Sequence, residues 1–594
     1  MTVHDVVIQY EDRLRQLHLG IEQLRLPIAL AATVLTIAIS LFLLLSLYAI
    51  RGQVSALWPS LPISIAAASA RRLQKTRQAR SRNWRLKLFY DRAVRRVKGD
   101  WAYTKAPGEV FDDPDHVYAR DLTIFGEGSL FQLLDVTRTS IGQRGLASYL
   151  LGAPALQETL MRQEAVRELR GRVDLREKIA TLGKFDFVES KWTTFEDWLK
   201  SPTLSYPRYL PIIAAITSGL LAALLLLGYS ARIPWAPLAV LVGILVIIHA
   251  EVGWFFRDRV NRMVDWVRPV ALETGVLREG LDLLTREEFQ SLKVRRLADQ
   301  VQGASASLRR LERLLDALAQ RDKEWFYLIS RLLLGGTQLC IAIEQWRASH
   351  GEALKKWIEA WAEFEALNAL AVYGHENPDN AFPEFASDRV CFEARELGHP
   401  LLPRASCIPN DVELNKRFSF YVVSGSNMAG KSTLLRSIGL NAVLGLAGAP
   451  VRAGALRLSS LSVFGSLSIV DSLQSGKSKF LAEVDRLRLA IEAAASKPVL
   501  FLVDEIFSGT NSRDRRLAAE AVVRTLTHRG AIGVLSTHDL ALTEIADAEG
   551  MRGFNVHMGS RDGRDPMDFD YRLKPGITKE TNALAIARMA GVPV

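Results

Sequence analysis

The chain has 594 residues, of which 48% are hydrophobic and 24% are charged, and its net charge is +10. A chain of this length can hold several domains, and its apolar content excludes a mainly disordered protein. Its three cysteines, Cys340, Cys391 and Cys407, lie too far apart for a disulfide framework or a metal site built on closely spaced cysteine pairs. The net charge leaves open both nucleic-acid binding and attraction to an anionic membrane surface.

The first apolar run, residues 27–50, is 24 residues long and carries no charge. At about 1.5 Å per residue, a helix of that length crosses roughly 30 Å of hydrocarbon, so the run predicts a transmembrane helix. A cleaved signal peptide is the alternative, which the charged residues 1–25 fit poorly. The uncharged residues 53–70 contain Pro59 and Pro62. We interpret them as a second span, with a membrane-surface or re-entrant segment as the alternative.

Two further apolar runs, residues 209–228 and 233–250, are separated by four residues. They predict a helical hairpin in the bilayer, because unpaired backbone polar groups are too costly in lipid. Buried helices of a soluble domain are the alternative. His249 lies near the end of the second run, where we expect a solvated residue rather than a proton relay.

Twelve basic residues and a single acidic residue, Asp91, lie within residues 71–98. The rest of the chain has 63 basic and 64 acidic residues, so this segment accounts for the whole net charge. Its position after an apolar run predicts an amphipathic helix on anionic headgroups, with nucleic-acid binding as the alternative. We therefore predict a multi-pass protein of the inner cell membrane with the N-terminus, residues 71–208 and residues 251–594 in the cytoplasm.

Residues 418–433 consist of an apolar strand, a loop that fits the pattern GxxxxGK[ST], and the start of a helical run. Such a loop directs backbone N–H groups and a helix N-terminus at phosphate, with Lys431 at the β- and γ-phosphates and Ser432 at Mg²⁺. The predicted nucleotide-binding residues are Gly425, Ser426, Asn427, Met428, Ala429, Gly430, Lys431, Ser432 and Thr433.

Two later strands carry polar residues at their carboxyl ends, where open α/β sheets bind ligands. Residues 498–505 end in Asp504 and Glu505, and residues 531–537 precede His538. We predict that Asp504 is a second Mg²⁺ ligand, that Glu505 orients or deprotonates an attacking water, and that His538 senses the γ-phosphate. Together with the loop, these residues predict nucleotide hydrolysis.

Four segments, in this order, resemble the MutS family of ABC-type ATPases, which is related to DNA mismatch repair: residues 425–448, 471–487, 501–514 and 536–539. Further segments resemble the lead-in to that ATPase and the start of its helical core, or lever, domain: residues 397–403, 409–412, 121–151 and 162–169. The resemblance covers residues 121 to about 205 and 251–594. The apolar hairpins have no counterpart in the mismatch-repair members.

The resemblance implies a homodimer through the ATPase domains, with ATP and Mg²⁺ between the two subunits. Ser478 matches the family's signature serine, which acts in catalysis by contacting the γ-phosphate bound by the partner subunit, although Lys479 departs from the threonine common there. Residues 509–512 and Asp514 match a loop that crosses the dimer interface. Cys407 stands where mismatch-repair members tend to have an aromatic residue that stacks on adenine, and ATP remains the expected nucleotide.

The family reads mismatches with an N-terminal domain that carries a Phe-x-Glu motif. Residues 1–120 hold no such motif, and residues 281–370 leave little length for a clamp domain on DNA. We therefore keep two hypotheses. The first is a membrane-anchored ATPase whose dimer closure moves the helical core. The second is a DNA-binding protein that is tethered at the membrane and has no mismatch-reading domain. An ABC-type transporter is a third hypothesis, which the small number of spans disfavours.

The predicted fold class is α + α/β, with helical transmembrane hairpins, an all-helical core domain and a C-terminal P-loop ATPase domain of the ABC type. The predicted segments are an N-terminal segment with one or two spans (1–70), a basic juxtamembrane segment (71–120), the helical core (121–208 and 251–390), an inserted hairpin (209–250) and the ATPase domain (391–594). The inserted hairpin makes the core covalently continuous with the membrane.

Overall fold

The computed structural model describes residues 2–55, 57–102, 107–183, 193–203, 206–207, 209–229, 235–320, 334–426, 428–467, 479–508, 511–561 and 568–578. By internal packing, the chain divides into two compact units. The first comprises Met1–Val136, Ala147–Thr181 and Asn368–Val594, and the second comprises Thr137–Leu146 and Leu182–Leu367. The N-terminal helices and the C-terminal sheet domain therefore belong to the same unit.

Three long helices begin the first unit: α1 (Val3–Gln23), α2 (Arg25–Ile50) and α3 (Ser60–Lys98). Thr2 caps α1, since its hydroxyl accepts a hydrogen bond from the Asp5 amide while the Asp5 carboxylate accepts one from the Thr2 amide. Helix α3 packs against both α1 and α2. The contact between α1 and α3 is an apolar cluster, whose buried members are Val6, Tyr10, Leu17, Leu86, Tyr90 and Ala93.

The basic segment is helical and belongs to α3, which continues through it without a break from residues 60–70. Residues 53–70 therefore do not form a helix of their own. Pro59 lies directly before the first helical residue, where its fixed φ suits a helix start. The uncharged part of α3 is about 16 Å long, roughly half the hydrocarbon thickness. Its length fits the re-entrant or membrane-surface alternative better than a second complete span.

Two helical stretches among the described residues are long and apolar enough to cross a bilayer, Val3–Ile50 and Ala236–Val267. Ile212–Gly228 is a shorter apolar helix. A buried core helix or an N-terminal signal sequence can have the same length and composition. Only 11% and 17% of the apolar windows in the two long stretches are buried, which sets them apart from helices packed inside a soluble core.

The first unit also contains short helices that lead toward the sheet domain: α4 (Leu130–Leu134), the start of which is capped by Ser129, α6 (Leu156–Arg170) and α7 (Val173–Ala180). Helix α5 (Ser140–Leu151) lies between α4 and α6 in the chain, and its residues are divided between the two compact units. The buried carboxylate of Asp121 accepts hydrogen bonds from the Leu467 amide at 2.7 Å and from Arg486 at 2.6 Å. These contacts join the chain around Asp121 to the sheet domain.

The second unit is helical in its described residues, with α8 (Thr193–Lys200), α9 (Leu210–Tyr229), α10 (Trp235–Arg286), α11 (Leu292–Gln300), α12 (Ala304–Gln320) and most of α13 (Gly335–Glu376). Helix α10 packs against α9 and α12 and extends well beyond the predicted apolar run. His249 is buried, and its Nε2 lies 2.8 Å from the Thr217 hydroxyl of α9. The expectation of a solvated His249 is wrong, because the packing of α9 along α10 covers this side chain.

The C-terminal domain contains, in chain order, β1 (Glu384–Ala386), β2 (Phe392–Leu397), β3 (Asn410–Leu414), β4 (Phe420–Ser424), α14 (Lys431–Ala447), β5 (Ala455–Ser459), β6 (Ser462–Ser466), α15 (Lys479–Ala493), β7 (Val499–Asp504), α16 (Ser512–His528), β8 (Ile532–Thr537), β9 (Gly553–His557) and β10 (Lys574–Pro575). A four-stranded sheet has the order β1-β5-β2-β3, and a six-stranded sheet has the order β10-β9-β4-β8-β7-β6. The predicted combination of helical and mixed helix–sheet regions is confirmed.

Strands β4, β8 and β7 are adjacent and parallel at the centre of the larger sheet. Their residues are almost continuously buried rather than alternating, as expected for strands covered on both faces. Because parallel strands end at the same edge, Ser424 lies opposite Thr537 and Asp504 lies opposite Ser536. The carboxyl ends that carry the predicted catalytic residues are thereby brought side by side.

Candidate active site

The loop between β4 and α14 depends on two glycines in conformations that other residues rarely adopt. Gly425 has a φ of 145° and Gly430 a φ of 96°. A Cβ atom on Gly425 would lie 2.3 Å from the carbonyl oxygen of Met558, so no side chain fits there without moving the backbone. The backbone conformation of the loop therefore explains why glycine occupies positions 425 and 430 of the sequence pattern.

Lys431 is buried inside this loop at the first position of α14. Its ammonium group donates hydrogen bonds to the carbonyl oxygens of Gly425 at 2.7 Å and Ser426 at 2.8 Å. Burial lowers the pKa of Lys431 below its usual value, and the carboxylates of Asp504 and Glu505 oppose that shift. The ammonium group is thus held inside the loop by two backbone carbonyl oxygens.

The two predicted Mg²⁺ ligands contact each other. The Ser432 hydroxyl donates a hydrogen bond to Asp504 Oδ2 at 2.5 Å, and the Ser536 hydroxyl donates one to Asp504 Oδ1. Within the described residues, no group of three or more His, Cys, Asp or Glu side chains could hold a metal ion. One hydroxyl and one carboxylate fit Mg²⁺, which prefers oxygen ligands and usually completes its shell with water and phosphate.

Glu505 leaves the regular strand geometry directly after β7. Its φ is +53°, in the left-handed region that non-glycine residues rarely adopt. Its Oε1 atom lies 3.0 Å from Nδ1 of His538, which follows β8. The turn therefore frees Glu505 from the strand alternation and brings together the two residues predicted to act on water and on the γ-phosphate.

The remaining predicted nucleotide-binding residues are distributed along the loop and the first helical turn. Ala429 is buried, whereas Met428 and Thr433 are exposed. Asn427 and Ser478 lie outside the described residues, as do residues 509–510 of the predicted interface loop. The described end of that loop caps α16, where the Asn511 side chain accepts a hydrogen bond from the Asp514 amide at 2.9 Å.

Sequence reasoning did not single out Ser536, Glu483 or Arg515. Ser536 contacts Asp504 because the two residues are paired in register, and only its place just before His538 could have indicated it. Glu483 and Arg515 contact the backbone of the turn after Glu505. Cys407, predicted to replace an adenine-stacking aromatic residue, is half-buried, and its Sγ accepts a hydrogen bond from the His399 amide at 3.3 Å.

Residues 421–594 match the family model for MutS domain V. The DNA mismatch repair protein MutS of Lactobacillus delbrueckii subsp. bulgaricus is 30% identical over 254 residues, covering 41% of this chain and 29% of that protein. The MutS of Natronomonas pharaonis is 31% identical over 250 residues, again 41% and 29% of the two chains. The MutS of Thermus caldophilus is 29% identical over 281 residues, covering 47% of this chain and 33% of that protein.

The matches thus span about a third of the length of the curated relatives. The matched region contains the loop before α14, the Asp504–Glu505 pair and His538, which are the groups that meet at the edge of the larger sheet. Domain V is the ATPase domain of MutS proteins. The C-terminal part of this chain is therefore similar to domain V of MutS proteins.

Proposed function

We propose that this chain is a membrane-anchored ATPase that binds ATP and Mg²⁺ at the loop of residues 425–433 and hydrolyses the nucleotide. The observation that carries the proposal is the convergence of Lys431, the Ser432–Asp504 pair and the Glu505–His538 pair at one edge of the sheet. Charge neutralisation, metal binding and water activation are the three tasks of phosphoryl transfer, and this edge holds a group for each.

Each side chain has a role that follows from its position. Lys431 and the loop amides bind the β- and γ-phosphates, and Ser432 and Asp504 hold Mg²⁺. Bound Mg²⁺ supplies charge neutralisation at the phosphate oxygens. Glu505 orients a water molecule and accepts its proton, while His538, 3.0 Å from the Glu505 carboxylate, senses the γ-phosphate.

The proposed site is composite. By family resemblance, Ser478 of one subunit contacts the γ-phosphate bound by the other, so ATP joins two ATPase domains in a homodimer. Closure of the dimer would move the helical core, residues 121–208 and 251–390, and with it the inserted hairpin of residues 209–250. Nucleotide state and the membrane segments are coupled in this proposal.

The membrane part of the proposal rests on exposed apolar surface. Along α2, large apolar side chains remain uncovered by the rest of the protein, among them Leu30, Ile37, Leu43 and Leu47. In α9 and α10, Ile216, Leu226, Val240 and Ile247 are likewise exposed. So many exposed large apolar side chains along helices of this length are unusual on a soluble protein and fit the hydrocarbon of a bilayer.

DNA binding at the membrane is the second candidate function. It is favoured by the similarity to proteins named DNA mismatch repair proteins and by the exposed basic side chains of α3, among them Arg71, Arg72 and Lys75. With this function, the ATPase cycle would control binding of the protein to the phosphate backbone of DNA. Such binding would weaken steeply with salt.

ATP turnover by the full chain in detergent tests the first proposal. Lys431→Ala and Glu505→Gln should each abolish turnover, whereas the exposed control substitutions Lys416→Ala and Glu549→Gln should leave it unchanged. Retention of turnover by both Lys431→Ala and Glu505→Gln would refute the assignment. A salt-dependent DNA titration of the same protein, with and without ATP, tests the second candidate function. If the protein does not bind DNA at low salt, that function is excluded.

A further inference from the structure

The turn that follows Asp504 has an unusual backbone. Both Glu505 and Phe507 have a φ of 53°, so two non-glycine residues within three positions occupy the left-handed region. Such a conformation persists only where surrounding contacts impose it. The groups that hold this turn therefore decide where the Glu505 carboxylate points.

The first of these groups is Glu483. It is buried on α15, with 2% of its surface exposed, and its Oε1 accepts a hydrogen bond from the Phe507 amide at 2.8 Å. Helix α15 begins at Lys479, directly after the predicted signature residue Ser478. Glu483 thus connects the helix that follows the signature segment to the turn that carries Glu505.

The second group is Arg515, on the first turn of α16. Its Nε donates a hydrogen bond to the carbonyl oxygen of Phe507 at 3.0 Å, and an Nη atom donates one to that of Ser508 at 3.1 Å. The same guanidinium lies 3.6 Å from the carboxylate of Asp539, the residue after His538. The amide and the carbonyl of Phe507 are therefore held from two different helices.

Resting on the proposed function, we propose that Glu483 is a positioning residue for ATP hydrolysis. It fixes the Phe507 amide, and through it the turn that aims Glu505 at His538.

This role predicts a specific kinetic pattern. The hydrogen bond that Glu483 accepts from the Phe507 amide holds the turn and not the loop of residues 425–430, so its loss should lower kcat while KM and nucleotide affinity stay unchanged. Glu483→Ala removes the acceptor and leaves a buried amide unsatisfied, with an expected loss of about tenfold in kcat. Glu483→Gln keeps a carbonyl oxygen at the same reach, so it should retain most of the turnover.

The experiment measures kcat and KM for ATP, and the affinity for a fluorescent non-hydrolysable ATP analogue, in the full chain in detergent. Glu492→Ala is the matched control, because Glu492 lies on the same helix and forms an exposed ion pair with Arg488. A lower kcat at unchanged affinity in Glu483→Ala, restored in Glu483→Gln, supports the inference. Wild-type kcat in Glu483→Ala, or equal losses in both variants, overturns it.

Arg515→Ala provides a second test if Glu483→Ala does not fold. It should lower kcat at unchanged analogue affinity, and a loss of affinity without a loss of kcat would contradict the positioning role. The proposed function fails separately, if Lys431→Ala and Glu505→Gln both retain turnover. Loss of turnover in those two variants, together with wild-type kcat in Glu483→Ala and Arg515→Ala, leaves the ATPase assignment intact and removes the positioning role.

Discussion

The C-terminal sheet domain and the N-terminal helices α1–α3 belong to one compact unit, but their proposed functions depend on different features of their residues. In the sheet domain, the proposed ATP hydrolysis depends on individual atoms at defined distances, such as the Ser432–Asp504 and Glu505–His538 pairs. In the N-terminal helices, the proposed membrane role depends on composition, since exposed apolar and basic side chains are each replaceable by others of the same kind. A single substitution should therefore abolish the activity of the site in the first region, whereas each exposed side chain of the second should contribute only part of a shared effect.

A buried ion pair links the N-terminal helices to the end of α13, the helix that precedes the sheet domain. Arg96, near the end of α3, donates two hydrogen bonds to Glu376, the last residue of α13, at 2.7 and 3.0 Å. Both side chains are almost fully buried. Because Glu376 immediately precedes the sheet domain, this pair joins the N-terminal helices to the chain segment that enters that domain.

The largest expected effect is that of Glu505→Gln. It keeps the shape of the side chain but removes the base that accepts a proton from water, so kcat should fall about 10²–10⁴-fold. A phosphate-release assay on the full chain measures this, with Glu549→Gln as the control. A loss of less than about tenfold would show that the defined pair at this sheet edge does not limit hydrolysis.

The next effect concerns the junction between the regions. Arg96→Ala leaves the buried Glu376 carboxylate without its partner, which should lower the free energy of unfolding by about 3–5 kcal/mol. Lys98→Ala is the matched control, because the Lys98–Glu11 pair is exposed to solvent and its loss should lower the free energy of unfolding far less. Urea denaturation of the two variants checks this, and equal losses would show that the buried pair does not join the regions.

The third expected effect concerns the binding of anionic membranes by the basic part of α3. The triple substitution Arg71→Gln, Arg72→Gln and Lys75→Gln should weaken binding to anionic vesicles by about 3 kcal/mol, since each charge contributes about 1 kcal/mol. Each single substitution should have a third of this effect, unlike substitutions at the active site. Sedimentation with anionic and neutral vesicles measures the change, with Arg395→Gln, Lys416→Gln and Arg561→Gln together as the control. Unchanged binding of the α3 variant would contradict the membrane role of α3.

The smallest expected effect is a pH dependence near the junction. Burial, with Arg176 as the next cause, lowers the pKa of His375 to about 4 from the usual 6.5. The folded state therefore favours neutral His375, and its stability should fall as the pH drops from 6.5 toward 4, because the unfolded chain binds the proton first. With His375→Gln, the loss in free energy of unfolding between pH 6.5 and pH 4 should be smaller by about 1–3 kcal/mol. Unfolding curves at several pH values test this, and an unchanged slope would exclude His375 as its source.

The sequence by itself determined the parts of this protein that depend on local patterns. The spacing of glycines, Lys431 and Ser432 was enough to predict the strand, loop and helix around them, because this chemistry is contained in neighbouring residues. The apolar runs and the basic segment of residues 71–98 were also evident, since hydrophobicity and charge add up along the chain. Even there, the sequence left open that one continuous helix, starting after Pro59, joins residues 60–70 to the basic segment.

Only the tertiary structure decided which distant residues meet. Ser536 contacts Asp504 because of strand register, and Arg96 contacts Glu376 across 280 positions of the chain. Glu483 reaches the Phe507 amide because α15 packs beside the turn after β7. Such contacts depend on the packing and relative alignment of whole elements, which local residue patterns do not encode, and they hold Glu505 in the conformation on which the proposed hydrolysis depends.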